Sequence, residues 1–144
     1  MIPGMDTGAI VESLELAGER GGDLTPLVYA RLFADHPDME ALFVRDTNGA
    51  VKGEMLMRVI EAILDFIGGR TYSAHLIQCE VVTHEGYGVP PKVFAVFFGT
   101  VAATVREAVG AGWTPAMEAS WGQLLADLDY YVAHPDQAET ASAA

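Results

Sequence analysis

Thirteen consecutive residues, Val93 to Val105, carry no charge, and this run constrains the fold more than any other stretch of the chain. Its large side chains, Val93, Phe94, Phe97, Phe98, Val101 and Val105, fall nearly all round a helix, so the helix has to be covered on several sides. A membrane crossing takes about 20 apolar residues. The run therefore reads as a buried core helix, opening at Pro90 and stopping at Gly110-Ala111-Gly112, around which other helices must pack.

The rest of the chain offers such helices. Ile10, Leu14 and Ala17 recur at helical spacing, with Asp6 or Thr7 as a cap and Gly21-Gly22 as a stop. A second helix opens near Asp23 or Thr25, tolerates Pro26 in its first turn and carries Leu24, Leu27, Val28, Leu32 and Phe33 until His36-Pro37 ends it. Tyr29 and Phe33, four residues apart, share a face. Pro37 to Phe43 reads as a short helical corner, and Arg45-Asp46-Thr47-Asn48-Gly49 as a loop leading into a capped helix. From Ala50, a broad stripe of Lys52, Met55, Leu56, Val59, Ile60, Ile63, Phe66 and Ile67 predicts a helix of about five turns ending at Gly68-Gly69. Residues 71–84 are more weakly helical. Thr114-Pro115 is a cap followed by a first-turn proline, opening a last helix with Met117, Trp121, Leu124, Leu125 and Leu128 as its core stripe. Sustained β-alternation and internal repeats are absent, so the expected fold class is all-α.

With 144 residues the chain is sized for one domain, long enough to bury roughly two thirds of its unfolded surface. The domain is expected over residues 1–133, with the small and polar residues 134–144 as a disordered tail. Half the residues are apolar, leaving room for an apolar pocket. A net charge of −12 repels phosphate backbones and anionic lipid, which argues against nucleic acid and membrane partners. The single cysteine, Cys79, cannot form an internal disulfide, and no basic-then-apolar leader precedes the first helix, so a cytoplasmic protein is expected.

One octet stands apart: His84-Glu85-Gly86-Tyr87-Gly88-Val89-Pro90-Pro91. A helix ends near His84, the glycines permit a sharp turn and the prolines open the next helix, leaving one imidazole to face a cavity. His36, His75 and His134 have no such setting and read as surface residues.

Taken in helical order, Tyr29, Phe43, Lys52 to Leu56, His84, Phe94 and Trp121 make the chain resemble the globin family. The resemblance runs from about residue 8 to residue 133 and is carried by three pieces. These are Leu27-Val28-Tyr29-Ala30-Arg31-Leu32-Phe33 with Pro37 through Leu42-Phe43, then His84 to Val89, then Trp113-Thr114-Pro115 to Ala119-Ser120-Trp121. More narrowly, the chain is similar to bacterial single-domain globins and to the globin half of flavohaemoglobins. The resemblance implies a globin fold of six to eight helices packed at about 50° crossings round a haem pocket, with haem b as cofactor.

Carried over residue by residue, the resemblance implies His84 as the axial iron ligand, its other N–H held by a backbone carbonyl or Thr83. Phe43 would wedge against the porphyrin, and Tyr29 would point its hydroxyl at a ligand on the iron or, as the bland alternative, bond a carbonyl. Phe33, Met55, Leu56, Val59, Val81, Val89 and Phe94 complete the expected haem contacts. Arg45, Lys52 and Lys92 are the candidates for its propionates.

Two positions depart from the family. Lys52 stands where histidine or glutamine is usual. Its ammonium reaches solvent or a propionate, its neutral amine takes the sixth iron position, or the register is shifted so that Val51 or Gly53 stands there. Glu80 stands one turn before His84, where an apolar side chain is usual. Either Val81 and Ile77 face the pocket in its place, or the pocket is altered. The tyrosine–glutamate pair on the proximal side of flavohaemoglobins is also missing, with Phe94 at the first position and the second falling near Ala138.

The expected function is reversible binding of dioxygen, nitric oxide or another diatomic gas, for storage or transport, without turnover. The alternatives are a nitric oxide dioxygenase fed by an external reductase and a sensor or interaction globin, with or without haem. Oligomeric state stays open, a dimer included.

Overall fold

The computed structural model describes residues 6–43, 46–69, 76–77, 79–80, 84 and 92–133. Five α-helices and two short 3-10 turns make up the described elements, and no strand occurs among the described residues. The fold is all-helical, as the sequence predicts.

Helix α1, Thr7–Gly21, starts where the Asp6 carboxylate accepts the Ala9 N–H at 3.1 Å. It ends at Gly22, whose φ of 65° is a left-handed conformation that glycine adopts without a Cβ penalty. Helix α2, Thr25–Asp35, takes Pro26 in its first turn, where a missing N–H leaves no helical bond unmade. The 3-10 turn Pro37–Phe43 makes the corner, and helix α3 follows over Ala50–Ile67. Of the next segment, the described residues Leu76, Ile77, Cys79, Glu80 and His84 are helical. Helix α4, Lys92–Val109, runs into a 3-10 turn, Gly110–Gly112. Helix α5, Pro115–Ala133, is capped by the Thr114 hydroxyl, which accepts the Met117 N–H at 3.1 Å.

Helix α4 is the centre of the packing, with α1, α2 and α5 laid against it. By length and composition Lys92–Gly112 could cross a membrane, but in this fold it is the core helix. Phe97, Phe98, Val101, Val105 and Val109 are buried, and Thr100 and Thr104 satisfy their hydroxyls on the Val96 and Thr100 carbonyls of the same helix. Helices α1 and α5 are pinned by a buried relay. The Trp121 indole N–H donates to Ser13 Oγ at 2.8 Å, and Ser13 donates to the Ile10 carbonyl at 2.6 Å. This packing leaves one side of α4, the face bearing Val93, Phe94, Phe97 and Phe98, turned towards the corner and α3, where the site lies.

Proposed haem contacts Arg45, Val81 and Val89 lie outside the described residues, as do Thr83, His75, His134, Pro90 and residues 134–144.

Candidate functional site

The site begins with how α3 is started. The first N–H groups of a helix have no partner inside it, and here each finds one. Ala50 donates to Asn48 Oδ1 at 3.0 Å, Val51 to Asp46 Oδ1 at 3.1 Å, Lys52 to Asp46 Oδ2 at 2.9 Å and Gly53 to the Gly49 carbonyl at 3.0 Å. Gly49, at φ 76°, makes the turn that brings both side chains beneath the helix. Burial of the Asp46 carboxyl works to raise its pKa. The Lys52 and Val51 hydrogen bonds and the Lys52 ammonium outweigh burial and hold the group below the usual carboxylate range.

With its start fixed, α3 turns Val51, Met55 and Val59 to one side at four-residue spacing. These three close a cavity of about 190 Å³ against Leu32 of α2, Met39, Leu42 and Phe43 of the corner, and Val93, Phe94, Phe97 and Phe98 of α4. His84 completes the wall. A second cavity of about 100 Å³ adjoins it, sharing Met55, Val59, His84, Phe94 and Phe98 and adding Arg58, Ala62, Leu76, Ile77 and Glu80. Two spaces separated only by shared side chains form one cleft between α3 and the His84 segment. Its walls are almost wholly apolar, the polar side chains among the described residues being the His84 imidazole, Arg58 and Glu80.

The histidine is set by its own helix turn. His84 Nδ1 lies 2.8 Å from the Glu80 carbonyl oxygen. A carbonyl only accepts, so Nδ1 is the donor in this contact, which leaves Nε2 as the ring nitrogen that can serve as a ligand. The Glu80 carboxylate adds an acceptor 3.4 Å from the same nitrogen. Phe94 meets the ring edge-on, centroids 5.2 Å apart and planes at 86°, which fixes its tilt. Glu80, Leu76 and Ile77 line the second cavity together, so the carboxylate stands at the cleft beside apolar neighbours and is turned towards His84.

Tyr29 is 3% exposed and ringed by Phe33, Phe43 and Phe97 at centroid distances of 5.9, 5.3 and 5.7 Å. Its hydroxyl donates to the Lys52 carbonyl at 3.1 Å. Burial, and then the Asp46 carboxylate, push the phenol pKa well up, so it is neutral at physiological pH.

Among the expected contacts, Phe43, Met55, Val59, Phe94 and His84 are brought together on the cavity wall. Tyr29 and Phe33 stand behind Phe43 in an aromatic cluster, and Leu56 is buried on α3 without lining either cavity. The Lys52 ammonium lies 3.7 Å from Asp46 Oδ2, with Val51 on the wall beside it. Lys92 is exposed at the start of α4, one residue before the cavity-lining Val93. Sequence reasoning missed Leu32, Met39, Leu42, Val93, Phe97 and Phe98 as wall residues, and it named Val51 only as the shifted-register alternative to Lys52. The Val51-Met55-Val59 spacing was the signal for α3, but its stripe was too broad to choose a face. Asp46 was also missed, although an Asx residue ahead of a helix announces a cap.

The globin family model matches residues 27–130, from α2 to near the end of α5. No curated protein and no solved structure matched the chain. The matched span holds the corner, α3, His84, α4 and nearly all of α5, and the helices enclose an apolar cleft faced, among the described residues, by one histidine, the arrangement by which globins hold haem. The chain belongs to the globin family.

Proposed function

We propose that this globin binds haem b through His84 and, with haem bound, would take up a diatomic gas, dioxygen or nitric oxide, in the manner of bacterial single-domain globins. The observation that carries the reading is the 2.8 Å contact of His84 Nδ1 with the Glu80 carbonyl, which leaves Nε2 as a lone-pair donor on the wall of an apolar cavity. An imidazole oriented by its second nitrogen is the usual way a protein presents a histidine to a metal.

The residues present fit the group. Phe43, Met55, Val59, Phe94 and Phe98 offer the flat apolar contacts a porphyrin needs, and the cleft continues past His84 into the second cavity. Lys92, exposed beside the wall residue Val93, and Arg58, on the second cavity, are the cations that would meet its carboxylates. Bound haem supplies an iron with one position open to a gas. The chain's own part is to hold the iron at His84, to keep water out with the aromatic wall and to leave the opposite face apolar. Binding is favoured over turnover because the Tyr29 hydroxyl is engaged by the Lys52 carbonyl.

The test is haem reconstitution followed by ferric, ferrous and carbon monoxide spectra. A Soret band is expected, and His84→Ala should lose it or, in added imidazole, regain it. No Soret band in the unaltered protein, or an unchanged spectrum in His84→Ala, overturns the proposal.

A further inference from the structure

Among the described residues, Lys52 is the one cation placed beside the gas-binding side of the cleft and yet not on its wall. Its ammonium lies 6.0 Å from the centroid of Phe43, a wall residue, and its neighbour Val51 faces the cavity. A lysine stem is long and flexible, so a change of rotamer would carry the amine round Phe43 into the apolar space. What holds it is Asp46. The carboxylate is 5% exposed and lies 3.7 Å from Nζ, and the Asp46 carbonyl oxygen is 3.5 Å from the same nitrogen. Asp46 cannot follow the amine, because its two oxygens are fixed by the Val51 and Lys52 backbone N–H groups. The same residue thus sets the register of α3 and tethers the side chain that the register brings nearest to the cavity.

We propose that Asp46 is a positioning residue that keeps the Lys52 amine out of the gas-binding cavity, so that Val51, Met55 and Val59 form its wall and the gas meets no competing nitrogen. The proposal rests on the haem reading above. An ammonium held against a carboxylate has no lone pair to give, and its transfer into an apolar cavity requires loss of both the ion pair and the proton. Released from Asp46, Lys52 can lose its proton to water and present a neutral amine, a competent nitrogen ligand.

Two measurements test it. In the haem-loaded ferric protein, Asp46→Asn should show a low-spin fraction that grows with pH and exceeds that of the unaltered protein by up to about fivefold, the factor that an ion pair of about 1 kcal/mol supplies. That fraction should vanish in Asp46→Asn with Lys52→Met, a double variant that a purely structural role for Asp46 would leave unchanged in this respect. An Asp46→Asn spectrum matching the unaltered protein at every pH overturns the proposal, as does a low-spin fraction that survives Lys52→Met. The second measurement needs no haem, so its result stands even if reconstitution fails. The chain has two lysines, Lys52 and the exposed Lys92, and their acetylation rates can be compared by mass spectrometry in one sample. The Lys52-to-Lys92 rate ratio should rise about fivefold on replacing Asp46 by Asn. If that variant does not fold, Asp46→Ser decides by the same ratio, since a serine hydroxyl can still cap α3 but carries no charge to hold the ammonium. A ratio unmoved by both substitutions shows that Asp46 does not restrain Lys52.

Discussion

Replacing Tyr29 by Phe removes one oxygen and nothing else, and the structure fixes what that oxygen does. The ring stays within its aromatic cluster, so no cavity of consequence opens. The lost bond is the 3.1 Å contact to the Lys52 carbonyl. That carbonyl lies within α3 and also accepts the helical N–H of the residue four places on, so it is not left unpaired. The cost at pH 7 should therefore fall at about 0.5–1.5 kcal/mol, or a drop in Tm of about 2–5 °C. Alkaline pH supplies the sharper test. Because burial and Asp46 raise the phenol pKa in the folded state, the stability Tyr29 gains by staying neutral is fully present below the unfolded value of about 10. Above it, the unfolded chain ionises first and the folded state loses up to about 1.4 kcal/mol per pH unit from this group, until the folded pKa is passed. The Tyr29→Phe variant has no such loss. Urea unfolding followed by far-UV circular dichroism should show the two stability curves converging above about pH 10 and crossing roughly one unit higher. Parallel curves would refute the burial of a neutral phenol. Since the hydroxyl is engaged by the Lys52 carbonyl, gas release from the haem-loaded variant should quicken by less than about tenfold. A hundredfold change would show that the hydroxyl serves the gas and not the backbone.

Other outcomes follow from the same contacts. Trp121→Phe and Ser13→Ala each break the buried bond between α5 and α1 and should cost about 1–3 kcal/mol; a double-mutant cycle in urea should give a coupling of about 0.5–1.5 kcal/mol, and zero coupling would dissolve the relay. The Asp46 carboxyl is held below its ordinary range, so its contribution to stability is present above the unfolded value near 3.9 and is lost as pH falls through the folded one. The stability gap between the unaltered protein and Asp46→Asn should therefore be widest near neutrality and close in acid, and a gap constant from pH 7 to pH 2 would argue against the tethered carboxylate.

Much of the helix plan was legible in the sequence because helix ends are local chemistry. Asp6, Thr114-Pro115, Gly22 and Gly68 sit where the chain starts and stops its helices, and a cap or a left-handed glycine works the same way whatever packs beyond it. The charge-free run at Val93 to Val105 demanded cover on several sides, and α1, α2 and α5 provide it. His84 was legible as a histidine facing a cavity because Gly86, Gly88 and the prolines follow it in the sequence, a fact of order along the chain. The inner wall of the cleft was not. The stripe on α3 spans Lys52, Met55, Leu56 and Val59, and periodicity of about 100° per residue says that such a face is apolar without saying which edge of it meets the cavity. That rotation was decided by Asp46, whose carboxylate takes the Val51 and Lys52 N–H groups and turns Val51, Met55 and Val59 inward while drawing the lysine aside. The direction of the Tyr29 hydroxyl was decided in the same way, by a carbonyl 23 residues away that only packing brings near. The sequence by itself determined where the described helices start and stop and that His84 faces the cleft. The tertiary structure decided which side chains line it, because a hydrogen bond or ion pair between distant residues depends on helix rotation, which no local pattern encodes.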